Sequence, residues 1–470
     1  GSRPRSGDGG RVQESVGEQR EESAPAPSRP GQSPEAVEET TRSGAKRDGK
    51  RSGITEIAGE NPGNFVIGPD FALGEGTDAE KIQRNVDALK VLKRVKNENR
   101  FPTRDEQSVM ARYVGWGGLP GVFDPKNANA NTMFGKAQRE LSALLTQEEY
   151  NSAAISTQNA HYTSRGVVDA MWRMVRHFGF KGGRMLEPTV GVGNFLGLQP
   201  TDMAASTEWH ASELDAVSGE LAAMLYPDAH ILAAKGFEDA AFADGAFDLA
   251  IGNPPFGAMP IHGGLKKHLS GMKIHNYIIS KSGEHLRPGG VMMMVVTHRF
   301  LDTANPEARS HLAKQFKFLG AVRLPNDAFK KNAGTEVVTD IIMLQKLRPG
   351  EEADMNAAWL DVNGSIDVDG NAVRVNRYYE EHPSHILGRS ATDGKMYARG
   401  AGNEYTVHSD GRDVAKSIDD LIATDFVNLS GILTPTNADL NLGAAMLERS
   451  SLPIGGLLLD ANFSQIGRAH

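Results

Sequence analysis

From residue 160 to residue 346, short apolar runs suited to strands alternate with longer stretches of helical periodicity. The strand-type runs fall at 184–187, 209–213, 230–232, 247–252, 291–297, 318–324 and 339–346. Helical patterns occupy 166–178, 216–225, 277–286 and 308–317 between them. A chain that returns to β structure after each helix builds a mostly parallel sheet with helices on both faces. The cluster Arg287-Pro288-Gly289-Gly290 reads as the stop of the third of these helices. The expected class is α/β, with seven strands in a mostly parallel sheet.

The flanks read differently. Residues 1–52 are Gly, Ser, Pro, Glu and Arg with almost no large apolar side chain, and are expected to be disordered. Gly1-Ser2 has the form of a cloning remnant. A helical domain is expected over 53–158. Ile82, Val86, Leu89, Leu92 and Val95 recur at helical spacing within 79–99, and Thr103-Arg104-Asp105-Glu106 has the form of a capping box. The second helix ends in Val114-Gly115-Trp116-Gly117-Gly118-Leu119-Pro120, a rigid turn whose tryptophan reads as core packing. Further helices are expected over 136–145 and from Thr146. After the sheet domain, 159–348, an α+β extension covers 349–470. It opens with a hairpin of 358–362 and 372–375 around a Gly/Asp turn. The extension could serve DNA recognition or lead to a further module, and Ser464–His470 does not read as the end of a finished domain.

Composition narrows the chemistry. The 470 residues include no cysteine, which excludes a disulfide framework, a zinc ribbon and a cysteine nucleophile. No apolar run approaches the roughly 20 residues of a membrane span, and the N-terminus lacks the apolar core of a signal peptide. A net charge of −8 argues against a generic polyanion binder. Residues 260–350 nevertheless hold fourteen Lys and Arg against six Asp and Glu, with His262, His268, His275 and His285 among them. That segment reads either as a solvated helical surface or as a basic face for a phosphate backbone. The histidines show no metal-ligand spacing with acids, so no metal is expected.

Three motifs carry chemistry. Met185-Leu186-Glu187-Pro188-Thr189-Val190-Gly191-Val192-Gly193-Asn194-Phe195 follows the first strand, and its glycines let backbone approach a ligand. Leu196 stands where a dinucleotide fingerprint needs a third glycine, which disfavours NAD. Glu213, about 20 residues on at the end of the second strand, is placed to accept hydrogen bonds from both ribose hydroxyls of a nucleoside. Asn253-Pro254-Pro255-Phe256 follows the fourth strand. Two prolines fix the backbone and remove two N–H donors, so carbonyls there point outward. An Asn oxygen beside such a carbonyl offers two acceptors to one amino group. They favour a pyramidal nitrogen and stabilise the positive charge that develops when it attacks. Phe256 offers a flat face for the target ring.

Over residues 159–346 these motifs resemble the class I, S-adenosylmethionine-dependent N6-adenine DNA methyltransferases, in the gamma order of motifs. The resemblance implies a Rossmann-like fold and S-adenosylmethionine as cofactor. It implies that Tyr162 and Thr163, in Ala160-His161-Tyr162-Thr163-Ser164, hold the methionine carboxylate, with Ser164 in place of the usual proline. It further implies that Glu187, Gly191 and Gly193 line the methionine part, that Glu213 holds the ribose, and that Pro188, Asn194 and Phe195 also bind the cofactor. Glu238 or Asp239 would lie near the cofactor's adenine, and Asn253 at the methyl-transfer point. Asn276-Tyr277 resembles the start of a pocket-closing helix, and 334–342 the final hairpin strands. The turn around Trp116 ahead of such motifs is similar to the DarB-like group of large phage and plasmid antirestriction proteins that join a methylase to a helicase. No Walker A motif accompanies it here, so a helicase is either absent or lies outside this chain.

The implied reaction is direct methyl transfer to N6 of an adenine that is flipped out or single-stranded, with no metal. Asn253, Pro254, Pro255 and Phe256 would form the catalytic set. Residues 257–275 would fold over DNA, with Lys266, Lys267, Lys273 and Arg299 as phosphate contacts. The implied setting is the cytoplasm of a bacterium carrying the phage or plasmid, or the virion, with protection from restriction as the role. Two alternatives stay open on the motifs: methylation of an RNA or protein nitrogen, and a catalytically silent cofactor- and DNA-binding antirestriction or packaging protein.

Overall fold

A computed structural model describes residues 57–157, 163–257, 259–329, 337–394 and 404–433. Tyr162, the start of the 334–342 stretch and residues 1–52 therefore lie outside the described residues, as does the chain from 434 onward.

Four helices precede the sheet: α1 (Asp78–Asn97), α2 (Arg104–Met110), α3 (Met133–Leu144) and α4 (Gln147–Ser156). Capping boxes open three of them, at Thr77 with Glu80, Thr103 with Glu106 and Thr146 with Glu149. Each box satisfies backbone donors that a helix start would leave orphaned. The turn around Trp116 is locked from inside. Asn85, fully buried on α1, donates to Gly115 O and accepts from Val114 N at 2.8 Å. Trp116 is fully buried, edge-on to Tyr113 and Phe123.

The sheet region follows in the order α5 (Arg165–His177), β1 (Gly183–Glu187), α6 (Asn194–Gly197), α7 (Thr201–Ala204), β2 (Thr207–Glu213), α8 (Ala216–Leu225), β3 (His230–Ala233), β4 (Phe247–Gly252), α9 (Ile274–His285), β5 (Leu286–Thr297), α10 (Arg299–Asp302), α11 (Glu307–Ala313), β6 (Phe316–Leu324) and β7 (Thr339–Lys346). The spatial order is β3-β2-β1-β4-β5-β7-β6. β7 runs antiparallel to both its neighbours, and the other six strands are parallel. This Rossmann-like, mostly parallel sheet is the fold that the resemblance implies. Its central strands are buried on both faces, Met292–Val296 on β5 completely so.

One expectation about this region is corrected. The Arg287-Pro288-Gly289-Gly290 cluster does not precede β5 but lies within it. Phe247 pairs with Leu286 and Leu249 with Val291, so the extra residues form a bulge. Gly289 takes φ +75°, and a Cβ on Gly290 would press within 3.0 Å of Phe247 O.

The helical segment packs directly on the sheet region through α8. Gln107, fully buried, donates to the end carbonyls Met224 O and Leu225 O of α8. Lys96 pairs with Glu220 on α8, and Ser152 Oγ donates to Asp215 Oδ1 at its N-cap, 2.6 Å away.

Beyond β7 come β8 (Gly364–Val368), β9 (Asn371–Val375), α12 (Arg377–Glu381), β10 (Arg389–Gly394), β11 (Glu404–His408) and α13 (Val414–Thr424). The hairpin turns at Asp369-Gly370, both with φ > 0, as a two-residue turn requires. Its first strand is 364–368 rather than 358–362, because Ala358–Leu360 makes a 3-10 turn that stacks Trp359 on Phe318. Arg323 ties this extension to the sheet: fully buried, it pairs with Asp340 at 2.8 Å and Asp302 at 2.9 Å and lies 4.2 Å over the Tyr379 ring.

Candidate active site

Winding reverses between β1 and β4, and open α/β sheets bind ligands outside the carboxyl ends of strands at such a point. Glu187 ends β1, and Asn253 follows β4 directly. The two motifs lie side by side, since a Cβ on Gly252 would stand 3.5 Å from Pro188 and 3.7 Å from Glu187. Above them opens a cleft with a cavity volume of about 230 Å³.

Thr163, Glu187, Pro188, Gly191, Asn194, Phe195, Glu213, Glu238, Asn253 and Pro255 all line that cleft. Asn194 links two of its loops by donating to Thr163 O at 3.1 Å. Glu213 bridges the glycine turn and the α8 N-terminus, accepting from Gly191 N at 2.8 Å and Asp215 N at 2.9 Å. A carboxylate has about four acceptor positions, so capacity remains for ribose hydroxyls. Burial pushes the Glu213 carboxyl up to about 7, with the Asp215 charge acting the same way against its backbone hydrogen bonds. Burial and then the Glu213 charge hold Glu187 well above the usual carboxylate range.

Gly191 and Gly193 both adopt left-handed φ, +56° and +80°, yet their reasons differ. Gly193 does not line the cleft, and a Cβ there would meet the Tyr226 ring at 2.3 Å. Its missing side chain makes room for a buried tyrosine rather than for a ligand. Of the two candidate acids after Phe237, Glu238 lines the cleft while Asp239 is exposed outside it.

Several lining residues carried no signal in the sequence. Ser152, Ile155 and Ser156 come from α4. Ile274 and Ile278 belong to α9, the helix whose Asn276-Tyr277 stretch is expected to close the pocket. The wall at Gly236, Phe237 and Glu238 is held from behind by Lys281, whose Nζ donates to Phe237 O, Glu238 O at 3.1 Å and Ala240 O at 3.0 Å. Burial lowers this lysine to about 8. An alternation pattern cannot reveal a lysine whose partners are three carbonyls some 40 residues upstream.

Around the Asn-Pro-Pro-Phe motif, Pro254 is buried and Asn253 and Pro255 reach the cleft. Phe256 is half-buried beyond the cleft, edge-on to His275 at 5.8 Å between ring centres. His275 is in turn edge-on to Phe300, and burial lowers it to about 4, so it is neutral.

Among the described residues, part of the basic segment's charge is turned inward or paired rather than presented on a face. Lys281, Arg287, Arg309 and Arg323 are buried, and Lys266 sits between Asp244 at 2.6 Å and Glu284 at 2.8 Å. That environment leaves Lys266 poorly placed to meet a phosphate. Arg299 is half-exposed and pairs with Glu404. Lys267 and Lys273 are exposed on the segment after the Asn-Pro-Pro-Phe motif. The sequence excess arose because the acids that balance it, Asp244 and Asp248 among them, lie before residue 260.

Residues 207–329, from β2 to the loop after β6, match the model of the Eco57I restriction-modification methylase family. The chain is also 28% identical over 221 residues to the "Defense against restriction protein B" of Escherichia phage P1. That alignment covers 46% of this chain and 9% of the phage protein, so the chain spans about a tenth of that relative's length. Among solved structures, a putative class I S-adenosylmethionine-dependent methyltransferase from Listeria monocytogenes aligns at 16% identity and TM-score 0.36, covering 59% of this chain and 91% of the other. A modification subunit of a putative type I restriction enzyme from Vibrio vulnificus aligns at 16% identity and TM-score 0.36, covering 54% and 66%.

The cleft fits S-adenosylmethionine, the cofactor that the resemblance of the motifs implies. Buried Glu187 Oε2 and Thr189 Oγ1 have no hydrogen-bond partner among the described residues. A cationic ligand with N–H donors answers the first, and its nucleoside has an acceptor in Glu213. Among the described residues no group of three or more acids and histidines could hold a metal ion, and no helix is long and apolar enough to cross a membrane.

Proposed function

We propose that this chain transfers a methyl group to the exocyclic N6 of adenine in DNA. The observation that carries the reading is that Asn253 and Pro255 share one cleft with Glu187 and Glu213. When bound, S-adenosylmethionine supplies a methyl group already activated on sulfur. Glu213 receives the ribose hydroxyls, and Glu187 faces the cofactor's positive end. The Asn253 side-chain oxygen and the Pro254 carbonyl accept from the target amine. They localise its lone pair and stabilise the charge that grows on nitrogen. Phe256, braced by neutral His275, is the ring against which the extruded base rests. The base must leave its stack to reach Asn253, and exposed Lys267 and Lys273 hold the flanking phosphates.

Protection of phage or plasmid DNA in a bacterial cytoplasm follows as the proposed role, in line with the name of the phage P1 relative. The test is methyl transfer from labelled S-adenosylmethionine to unmethylated plasmid DNA, with nucleosides resolved by mass spectrometry. N6-methyladenine is the expected product. Asn253→Ala should lower its rate by about 10²–10³-fold while cofactor binding persists, the scale of losing one charge-stabilising group. Label in RNA or protein instead, or cofactor binding with no transfer to any DNA, would overturn the assignment.

A further inference from the structure

The helical segment ahead of the sheet does more than cover α8. Ser152, Ile155 and Ser156 stand at helical spacing on one face of α4, and all three line the cofactor cleft. Two bonds fix that face in place. Lys93 on α1 pairs with Glu149 at the start of α4, and Ser152 Oγ donates to Asp215 Oδ1 at 2.6 Å. Asp215 immediately follows Leu214, which follows the ribose acceptor Glu213. The part of the cleft beside α4 is therefore the part just beyond the ribose.

Its surface chemistry is specific. Val190, Phe195, Phe237 and Ile278 line the same cleft but are at most 4% exposed. Ile155 and Leu214 are 69% and 67% exposed. They are the large apolar side chains of the cleft that face water, and a flat aromatic ring is what covers such a pair. Resting on the cofactor reading above, we propose that α4 is a wall of the cofactor site, with Ile155 joining Leu214 to cover the cofactor's nucleobase. The helical segment then contributes a ligand contact to the methylase, and cofactor binding holds α4 against α8.

Calorimetric titration of the 470-residue chain with S-adenosylhomocysteine, paired with thermal melting, tests this. Ile155→Asp alters an exposed side chain, so the free chain should melt as the parent does. Its affinity for S-adenosylhomocysteine should fall by about tenfold, the scale of putting a charge where one aliphatic side chain covered the ring. Ile155→Leu should restore affinity, and Ile155→Ser repeats the test without a charge. Amide exchange over residues 147–157 should also slow when the ligand is added to the parent. A parent that binds while Ile155→Asp and Ile155→Ser bind within twofold of it would overturn the role of α4 alone. A parent that binds no S-adenosylhomocysteine would defeat the cofactor reading itself, and this inference with it.

Discussion

Glu187 and Glu213 are two acids in one cleft, each raised by burial and by neighbouring negative charge. A carboxyl raised on folding contributes stability that is full below its unfolded value, near 4.5, and is lost as pH rises through the folded value, for Glu213 about 7. The free chain should therefore lose stability across that window on account of this pair. A cationic cofactor prefers both acids ionised, so its affinity should rise across the same window, and binding near pH 6 should release a proton. Titration calorimetry in buffers of different ionisation enthalpy reads that release. Glu187→Gln should raise the melting temperature of the free chain at pH 8, diminish the proton release and weaken S-adenosylmethionine by about tenfold or more. Unchanged proton release in this variant would show that Glu187 does not face the ligand's charge.

At the scale of elements, the weakest-looking wall of the cleft, residues 236–240, has no ladder of its own and depends on one side chain of α9. Lys281→Ala removes three charge-assisted hydrogen bonds and leaves carbonyls without donors. The expected loss is about 2–4 kcal/mol in denaturant unfolding, with weaker cofactor binding from the loosened Glu238 segment. Full retention of both would mean that water replaces the ammonium. The strands around this wall were legible from their apolar runs, since β4 and β7 and helix α8 have the limits that the pattern predicts. Local chemistry also placed the capping box at Thr103, the helix start at Thr146 and the Asp369-Gly370 turn. What escaped was non-local. Pro288 and Gly289 are breakers in isolation, yet a bulge uses them because β4 holds the flanking residues in register. Gly193 reads as a ligand-contacting glycine until Tyr226, 33 positions on, is seen to fill the space. β10 pairs with β11, its first residue facing one 19 positions on, and α13 owes its place to packing along α5, neither of which a window of a dozen residues can report.

Across the whole molecule, charge is arranged by topology rather than by sequence neighbourhood. Part of the Lys and Arg surplus within 260–350 is internal: Lys281, Arg287, Arg309 and Arg323 are buried and matched by acids and carbonyls, some of them outside the segment. Phosphate contact then falls to a few exposed cations. Lys267→Ala and Lys273→Ala should each weaken DNA binding about equally for all sequences, and each should lower the slope of log K against log salt by about one. Lys266→Ala should leave that slope unchanged, because its ammonium neutralises Asp244 and Glu284. A binding isotherm at three salt concentrations separates the two behaviours.

Helix α8 bears on how such a catalytic unit could be moved between proteins. Its buried flank meets Gln107, Lys96 and Ser152, one residue from each of three upstream helices. A recombination breakpoint chosen at the first recognisable motif, near residue 159, would transplant every signature residue and still deliver a cleft lacking its α4 side. For this architecture the exchangeable cassette is defined by what α8 touches, and its upstream seam lies ahead of Asn61 and Asn64, whose side chains hold Asp228 just past that helix.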